Sequence, residues 1–80
     1  MDFCTIVHFE SGNVYNIYVV QGKDEADVTR KTEKKFLELC ENNIPDFGKF
    51  SADEKTQLLD DGYIEEHDTE IEIRWPLVVE

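Results

Sequence analysis

The chain has 80 residues, of which 40% are apolar and 34% charged, and its formal net charge is −11. A chain of this length supports one hydrophobic core, and this apolar content exceeds that of disordered proteins, so we predict a single compact domain over residues 1–80. The negative charge repels nucleic acid and anionic lipid, and no apolar run approaches the ~18 residues of a membrane span, so we expect neither direct nucleic-acid binding nor membrane insertion.

The start of the chain and its cysteines bear on localisation. Met1 leads into DFCTIVHF without the basic segment and long apolar run of a secretory signal. We therefore expect a cytoplasmic protein. Cys4 and Cys40 have no CxxC partner, and reduced, buried thiols are the expectation in that compartment.

The N-terminal quarter predicts a β-hairpin. Residues 3–9 and 14–20 are rich in β-forming residues, and Ser11-Gly12-Asn13 between them tolerates the positive φ of a tight turn. With a two-residue loop and regular pairing, one face would carry Phe3, Thr5, Val7, Phe9, Val14, Asn16, Tyr18 and Val20, and the other Cys4, Ile6, His8, Tyr15, Ile17 and Val19. Both faces are largely apolar, so either helices cover both sides or one side meets a partner.

A helix is predicted next, from about Glu25 to Glu41. Asp24 is a suitable N-cap, and apolar residues recur at spacings of three and four, which gives a core-facing stripe. The stripe consists of Val28, Thr32, Phe36, Leu39 and Cys40. Basic residues lie off this stripe, and we expect a solvated surface with internal ion pairs from Lys31 and Lys34 to Glu38.

The remainder predicts a loop, a short helix and a strand. Residues 44–50 form the loop, and its two phenylalanines close the edge of the core. Ser51 to Glu54 is a capping box. It begins a helix that ends near Asp61 and Gly62. From residue 63 the chain is extended, and residues 69–75 form a strand with Ile71, Ile73 and Trp75 inward; Leu77 to Val79 is a candidate continuation beyond Pro76.

These elements predict an α+β fold of order ββααβ. A three- or four-stranded antiparallel sheet would carry two helices packed on one face.

The sequence holds no catalytic constellation that identifies a reaction. Cys4 and His8 would point the same way from one strand but about 13 Å apart, too far for a thiol–imidazole hydrogen bond. Cys40 belongs to the helical core stripe. We therefore predict a non-enzymatic protein with no catalytic residues and no cofactor.

Metal binding is a weaker alternative. Glu65 to Asp68 places carboxylates and His67 side by side, but four consecutive residues cannot all converge on one ion, and Asp60-Asp61-Gly62 lacks the ligand spacing of an EF-hand. No specific metal site is predicted. His67 between carboxylates is either a pH-sensitive group or a solvated loop residue.

The acidity itself is the remaining functional signal, because eleven acids and three bases fall in residues 44–80. Seven of these acids lie within residues 60–72: Asp60, Asp61, Glu65, Glu66, Asp68, Glu70 and Glu72. Acids two apart on a strand point the same way about 6.8 Å apart, which imitates a run of phosphates. We interpret these seven residues as the binding site for a basic surface of a partner, which we expect to be a nucleic-acid-binding protein. The protein would then be a nucleic-acid mimic of the kind that phages use as inhibitors.

Two alternatives stand beside this interpretation. Surplus acid on exposed strands and loops also serves solubility alone. In that case the working surface would be the apolar face of the hairpin, used by an oligomeric or accessory protein, with a homodimer as the simplest form.

Overall fold

The computed structural model describes residues 2–75, which form a four-stranded antiparallel sheet with two helices packed on it. The strands are β1 (Asp2–Glu10), β2 (Asn13–Gly22), β3 (Tyr63–Glu66) and β4 (Thr69–Arg74), arranged as β2-β1-β4-β3. The helices are α1 (Glu25–Asn43) and α2 (Ala52–Asp61), with a 3-10 turn at Phe47–Lys49 between them. The predicted α+β class is confirmed, and the order is ββααββ because the extended segment after α2 forms a strand of its own.

The first hairpin turns through Ser11 and Gly12, whose φ angles are 51° and 81°. Positive φ at both central residues is what a type I′ turn requires. The predicted tight hairpin is therefore confirmed, and its loop has two residues, with Glu10 paired with Asn13 across it.

The predicted division of the hairpin into two faces is wrong, because β2 contains a bulge. Phe9 pairs with Val14 but His8 pairs with Asn16, so Tyr15 is an extra residue with no partner on β1. An extra residue reverses the face of every side chain beyond it. Ile6 consequently shares a face with Tyr18 rather than with Ile17.

Both helices cover the same face of the sheet, which we call the covered face. Its β1 residues Cys4 and Ile6 are fully buried, and Ile64, Ile71 and Ile73 join them from β3 and β4. The opposite face, which we call the open face, carries no helix among the described residues. Helices on one side, as predicted, leave the apolar residues of the other side in contact with water.

Helix α1 supplies the covering stripe. The side chain of Asp24 accepts a hydrogen bond from the Asp27 N–H at 2.8 Å, which fixes the start of the helix. Its buried residues are Asp27, Val28, Thr32, Phe36, Leu39 and Cys40, so the predicted core stripe is confirmed. Asp27 is buried beside this stripe, which the spacing of the apolar residues did not predict.

The ion pairs of α1 differ from those predicted. Lys31 pairs with Asp27 at 3.1 Å instead of with Glu38, and Lys35, not Lys34, approaches Glu38 at 3.6 Å. Asp27 is buried and pairs with both Arg30 at 2.6 Å and Lys31 at 3.1 Å, so the bases of the first turns of α1 gather at this carboxylate.

Helix α2 has both ends capped as predicted. Ser51 and Glu54 form the reciprocal capping box, and Gly62 ends the helix in the left-handed conformation with φ of 66°. The Gly62 carbonyl oxygen then accepts a 2.7 Å hydrogen bond from Ile73 N–H, which attaches the end of α2 to β4.

Strands β3 and β4 form a second tight hairpin, with Glu66 opposite Thr69 and His67 at φ of 57° in the turn. Ile71 and Ile73 are buried as predicted, but Trp75 lies beyond the end of β4 and is 50% exposed, so its assignment to the core is wrong. The candidate continuation at Leu77 to Val79 lies outside the described residues.

The described helices include none long and apolar enough to cross a membrane.

Candidate functional site

The open face divides into an acidic half and an apolar half. Strands β3 and β4 contribute Glu65, Glu70 and Glu72, which we call the acid band. Alternation of side chains along each strand, together with the pairing of Glu65 with Glu70, places all three on this one face. The acid band is therefore held by two paired strands rather than by a loose segment.

Tyr63 organises the acid band from the start of β3. It lies opposite Glu72, and its hydroxyl lies 3.3 Å from Glu70 Oε2 and 3.4 Å from Glu65 Oε2. A single O–H donor between two carboxylates brings them toward a common point. Partial burial, followed by the neighbouring charges of Glu65 and Glu70, raises the pKa of the Tyr63 hydroxyl, so it remains a donor at neutral pH.

The carboxylates of Glu65 and Glu70 interact unfavourably when both are ionised. The Glu65 carboxyl raises the pKa of Glu70, first through the hydrogen bond that a shared proton makes between them; desolvation and the charges of Glu65 and Glu72 act in the same direction. The Tyr63 hydroxyl opposes this rise. The acid band is thus a place where an added positive charge is favourable.

Arg74 is the base that the described structure places on the open face. Its Nε lies 3.1 Å from Glu72 Oε1, and its guanidinium carbon lies 5.7 Å from the centre of the Phe9 ring. Arg74 thus contacts both the acid band and the apolar half. Glu65 and Glu70 have no ion-pair partner among the described residues. An incoming cation would therefore meet two carboxylates that the Tyr63 hydroxyl contacts but that no described base neutralises.

The apolar half is formed by residues that we call the apolar row: Phe3, Val14, Ile17 and Val19. They are 47%, 56%, 55% and 61% exposed, respectively. Phe3 is on β1 and the other three are on β2; also on β1, next to the acid band, Val7 is buried by its neighbours on both sides. Apolar surface with charge along one border has the composition of a protein interface, with its apolar centre and polar rim.

The other four predicted site residues lie elsewhere. Glu66 is on the covered side of β3, and Asp68 is in the turn of the second hairpin, where its carbonyl oxygen accepts a 2.8 Å hydrogen bond from Ser11 N–H. Asp60 and Asp61 are in the last turn of α2, where Asp61 accepts from Gln57 at 3.1 Å. The structure therefore brings together three of the seven acids and separates the rest.

A second polar group surrounds His8 on the covered side. His8 is 1% exposed, its Nε2 lies 2.7 Å from Glu10 Oε1, and Thr69 Oγ1 donates to the same carboxylate at 3.0 Å. The ring centre of Tyr15 lies 5.0 Å from that of His8. This group links β1 to β4 and places the bulged Tyr15 over the imidazole.

The two cysteines are free and buried, as predicted. Burial raises the pKa of Cys40 to about 12 and also raises the pKa of Cys4, whose Sγ lies 3.5 Å from the Arg74 carbonyl oxygen. Thiolate, the nucleophilic form, is therefore scarce at both positions near neutral pH.

Within residues 2–75, no three His, Cys, Asp or Glu side chains are grouped so as to hold a metal ion. Comparison of the chain with family models, with curated proteins and with solved structures finds no match.

Sequence reasoning missed the roles of Tyr63 and of the turn at His67. The pattern from Tyr63 to Ile73 does contain the signal, because alternating residues flank a central polar pair at a spacing suited to a two-residue hairpin. Taken as a hairpin, it would have placed Glu65 opposite Glu70.

Proposed function

We propose that the protein is a non-enzymatic acidic binding protein whose acid band docks onto a basic surface of another protein. The opposed carboxylates of Glu65 and Glu70 are the observation that carries this proposal. They repel each other in the free protein, and a lysine or arginine placed between them would convert that repulsion into attraction.

The proposed partner is a nucleic-acid-binding protein. Glu70 and Glu72 point the same way from one strand, about 6.8 Å apart. Glu65 adds a charge on the neighbouring strand, about 4.8 Å away. Such a fixed two-row array of negative charge suits a groove built to receive phosphates, so the protein would act as a nucleic-acid mimic and an inhibitor of the phage type.

The apolar row adds to this docking surface. Charge complementarity mainly accelerates association and selects the partner, whereas buried apolar area supplies most of the affinity of an interface. With both on one face, the partner would meet the acid band first and then bury the adjacent apolar side chains. A cytoplasmic location is part of the proposal, and the free, buried thiols support it.

The test is capture of partners from a cell lysate by the immobilised protein at low and high salt. A triple variant with Glu65, Glu70 and Glu72 changed to glutamine removes the acid band without adding bulk. The matched control changes Glu33, Glu41 and Asp60 to their amides, which removes the same charge from the helices.

We expect the native chain and the control to capture basic proteins that elute as salt rises, and the acid-band variant to lose them. Captured proteins should release bound DNA or RNA when the native chain is added. Equal loss of capture by the two triple variants would show that net charge, not the acid band, is responsible, and undiminished capture by both would show that neither set of acids is needed; either result would overturn the proposal.

The apolar row also favours the second candidate, an oligomeric or accessory protein in which the acids serve solubility. Four exposed apolar side chains on one side of a hairpin are the observation behind it. In that case both triple variants would capture as the native chain does, whereas a charge at Ile17 would abolish association.

A further inference from the structure

Strand β2 forms one edge of the sheet, and it differs from ordinary edge strands. It is ten residues long and pairs only with β1 among the described strands. An edge strand presents unpaired N–H and C=O groups along its outer side, and these form a template for another strand. The available template is therefore long.

The charged residues and prolines that commonly defend an edge strand are missing from β2, although its turn end carries a bulge. Its sequence, NVYNIYVVQG, contains no Lys, Arg, Asp, Glu or Pro, the residues with which soluble proteins block edge pairing. The bulge at Tyr15 lies near the hairpin turn and leaves the stretch from Asn16 to Gln21 in regular pairing with β1. At the start of that stretch the Ile17 N–H donates to Asn16 Oδ1 at 2.9 Å, so pairing with a second strand would replace this hydrogen bond with one of the ladder.

The opposite edge of the sheet has these defences. Strand β3 has four residues, of which Glu65 and Glu66 are acidic. Two copies meeting at β3 would bring like charges together, whereas two copies meeting at β2 would not. The chain thus protects one edge of its sheet and leaves the other open.

The location of the charge makes self-association through β2 compatible with the net charge of −11. Strand β4 lies two strand spacings from β2, about 10 Å, and β3 lies three spacings from it, about 14 Å. Across a β2–β2 junction the two acid bands would be separated by at least about 24 Å, well beyond the Debye length of ~8 Å at physiological salt. Screening then removes most of the repulsion between copies.

We propose that β2 pairs with β2 of a second copy in antiparallel orientation, which makes one continuous eight-stranded sheet. The two apolar rows then lie side by side in the middle of the open face, with an acid band toward each end. Ile17 and Val19 of one copy pack beside those of the other, and the backbone groups at the edge gain ladder hydrogen bonds. This inference does not depend on the proposed function, because it concerns the chain alone.

The first test is sedimentation equilibrium of the full chain from low to high micromolar concentration. We expect the mass of two chains at high concentration, with association strengthened by added salt, because salt screens repulsion between two negative copies. Salt should weaken docking to a basic partner, so the two associations respond in opposite directions and their failures are distinguishable. A single-chain mass throughout would overturn the proposal.

A pair of lysine variants tests which surface pairs. Both side chains lie on the open face, but Val19→Lys places its charge on the edge strand β2, whereas Phe3→Lys places its charge on the inner strand β1. We expect Val19→Lys to raise the dissociation constant at least about tenfold and Phe3→Lys to leave it nearly unchanged. Dissociation by both variants would show that the open faces stack, and it would contradict edge pairing.

Disulfide trapping keeps the test decisive if a lysine variant fails to fold. Asn16→Cys, Ile17→Cys and Val19→Cys are made singly; Cys4 and Cys40 are buried, so the new thiol is the accessible one. Directly opposed strand residues have Cα atoms about 4.5–5.5 Å apart, within the range that a disulfide spans. The position nearest the twofold axis should cross-link fastest, and Glu65→Cys on β3 should not. Equal cross-linking at Glu65→Cys would overturn the proposal.

Discussion

Glu65 and Glu70 lie directly opposite each other in the β3–β4 ladder, and the Tyr63 hydroxyl lies within 3.4 Å of a carboxylate oxygen of each. Opposed like charges destabilise a sheet, yet hydrophobic contacts on the covered side keep these two strands paired. The folded chain therefore holds a repulsive pair at the surface, which connects its stability to its proposed function.

Replacing Glu65 with glutamine should stabilise the free protein at neutral pH and lower the pKa of Glu70. The raised pKa of Glu70 means that its contribution to stability is present below its unfolded value of 4.5 and is lost as pH rises through the folded value. Glu65→Gln removes the neighbouring carboxylate that raises this pKa, so less stability is lost as pH rises to 7. Urea unfolding at pH 7 and an NMR titration of Glu70 would measure the two effects. Glu66→Gln on the other face is the control, and equal stabilisation there would contradict the explanation.

Asp27 should stabilise the protein in the opposite pH range. The backbone N–H of Lys23, followed by Lys31 and Arg30, lowers the pKa of its carboxyl to about 2. Because the folded pKa is depressed, the stabilisation is present above the unfolded value of 3.8 and is lost as pH falls toward 2. Asp27→Asn should therefore unfold more easily than the native chain at pH 7, and the difference should vanish as pH falls below about 2. Thermal unfolding across this range would show it, and a constant difference would refute it.

Gly22 should not tolerate a side chain. A Cβ at this position would lie 2.8 Å from Asp27 Oδ2 and 2.9 Å from the Val28 backbone nitrogen. Gly22→Ala should destabilise by about 1–3 kcal/mol, the usual cost of overpacking. The control is Gly48→Ala, where a Cβ would meet no atom within 4 Å. That variant should be neutral or slightly stabilising in the same urea titration, and similar losses at both glycines would exclude the steric explanation.

The cysteines should resist thiol reagents while the protein is folded. Burial raises the pKa of both thiols, to about 12 at Cys40, so neither access nor thiolate is available at pH 8. Reaction with an aromatic disulfide reagent should be slow in buffer and release two equivalents in denaturant. Fast reaction at one thiol in buffer would show that the core opens near that residue.

Much of the fold follows from local patterns. The caps at Asp24 and Ser51, the stripe of α1 and the turn at Gly12 depend on nearby residues, and each was predicted from the sequence. The bulge at Tyr15 was not, because the β-forming residues around it fit regular pairing equally well. What selects the bulge is long-range: it places Ile6 and Tyr18 together beneath α1.

The candidate site was also predictable only where it depends on nearby residues. The sequence identifies Glu70 and Glu72 as outward residues of one strand, since alternation is local. It does not identify Glu65 as the neighbour of Glu70 until the segment from Tyr63 is recognised as a strand, because that relation depends on pairing between strands. The separation of Asp60 from the acid band likewise depends on the direction in which α2 packs.

The central position of β1 determines when the sheet is completed. This strand pairs with β2 early in the chain but also with β4, where Glu10 and Thr69 make contact across 59 residues of sequence. On the ribosome, the first hairpin emerges with one edge of β1 unpaired, and that edge stays unpaired until Thr69–Arg74 has been synthesised. Such distant pairing slows folding, so the nascent protein must be kept from aggregating until β4 occupies the edge of β1.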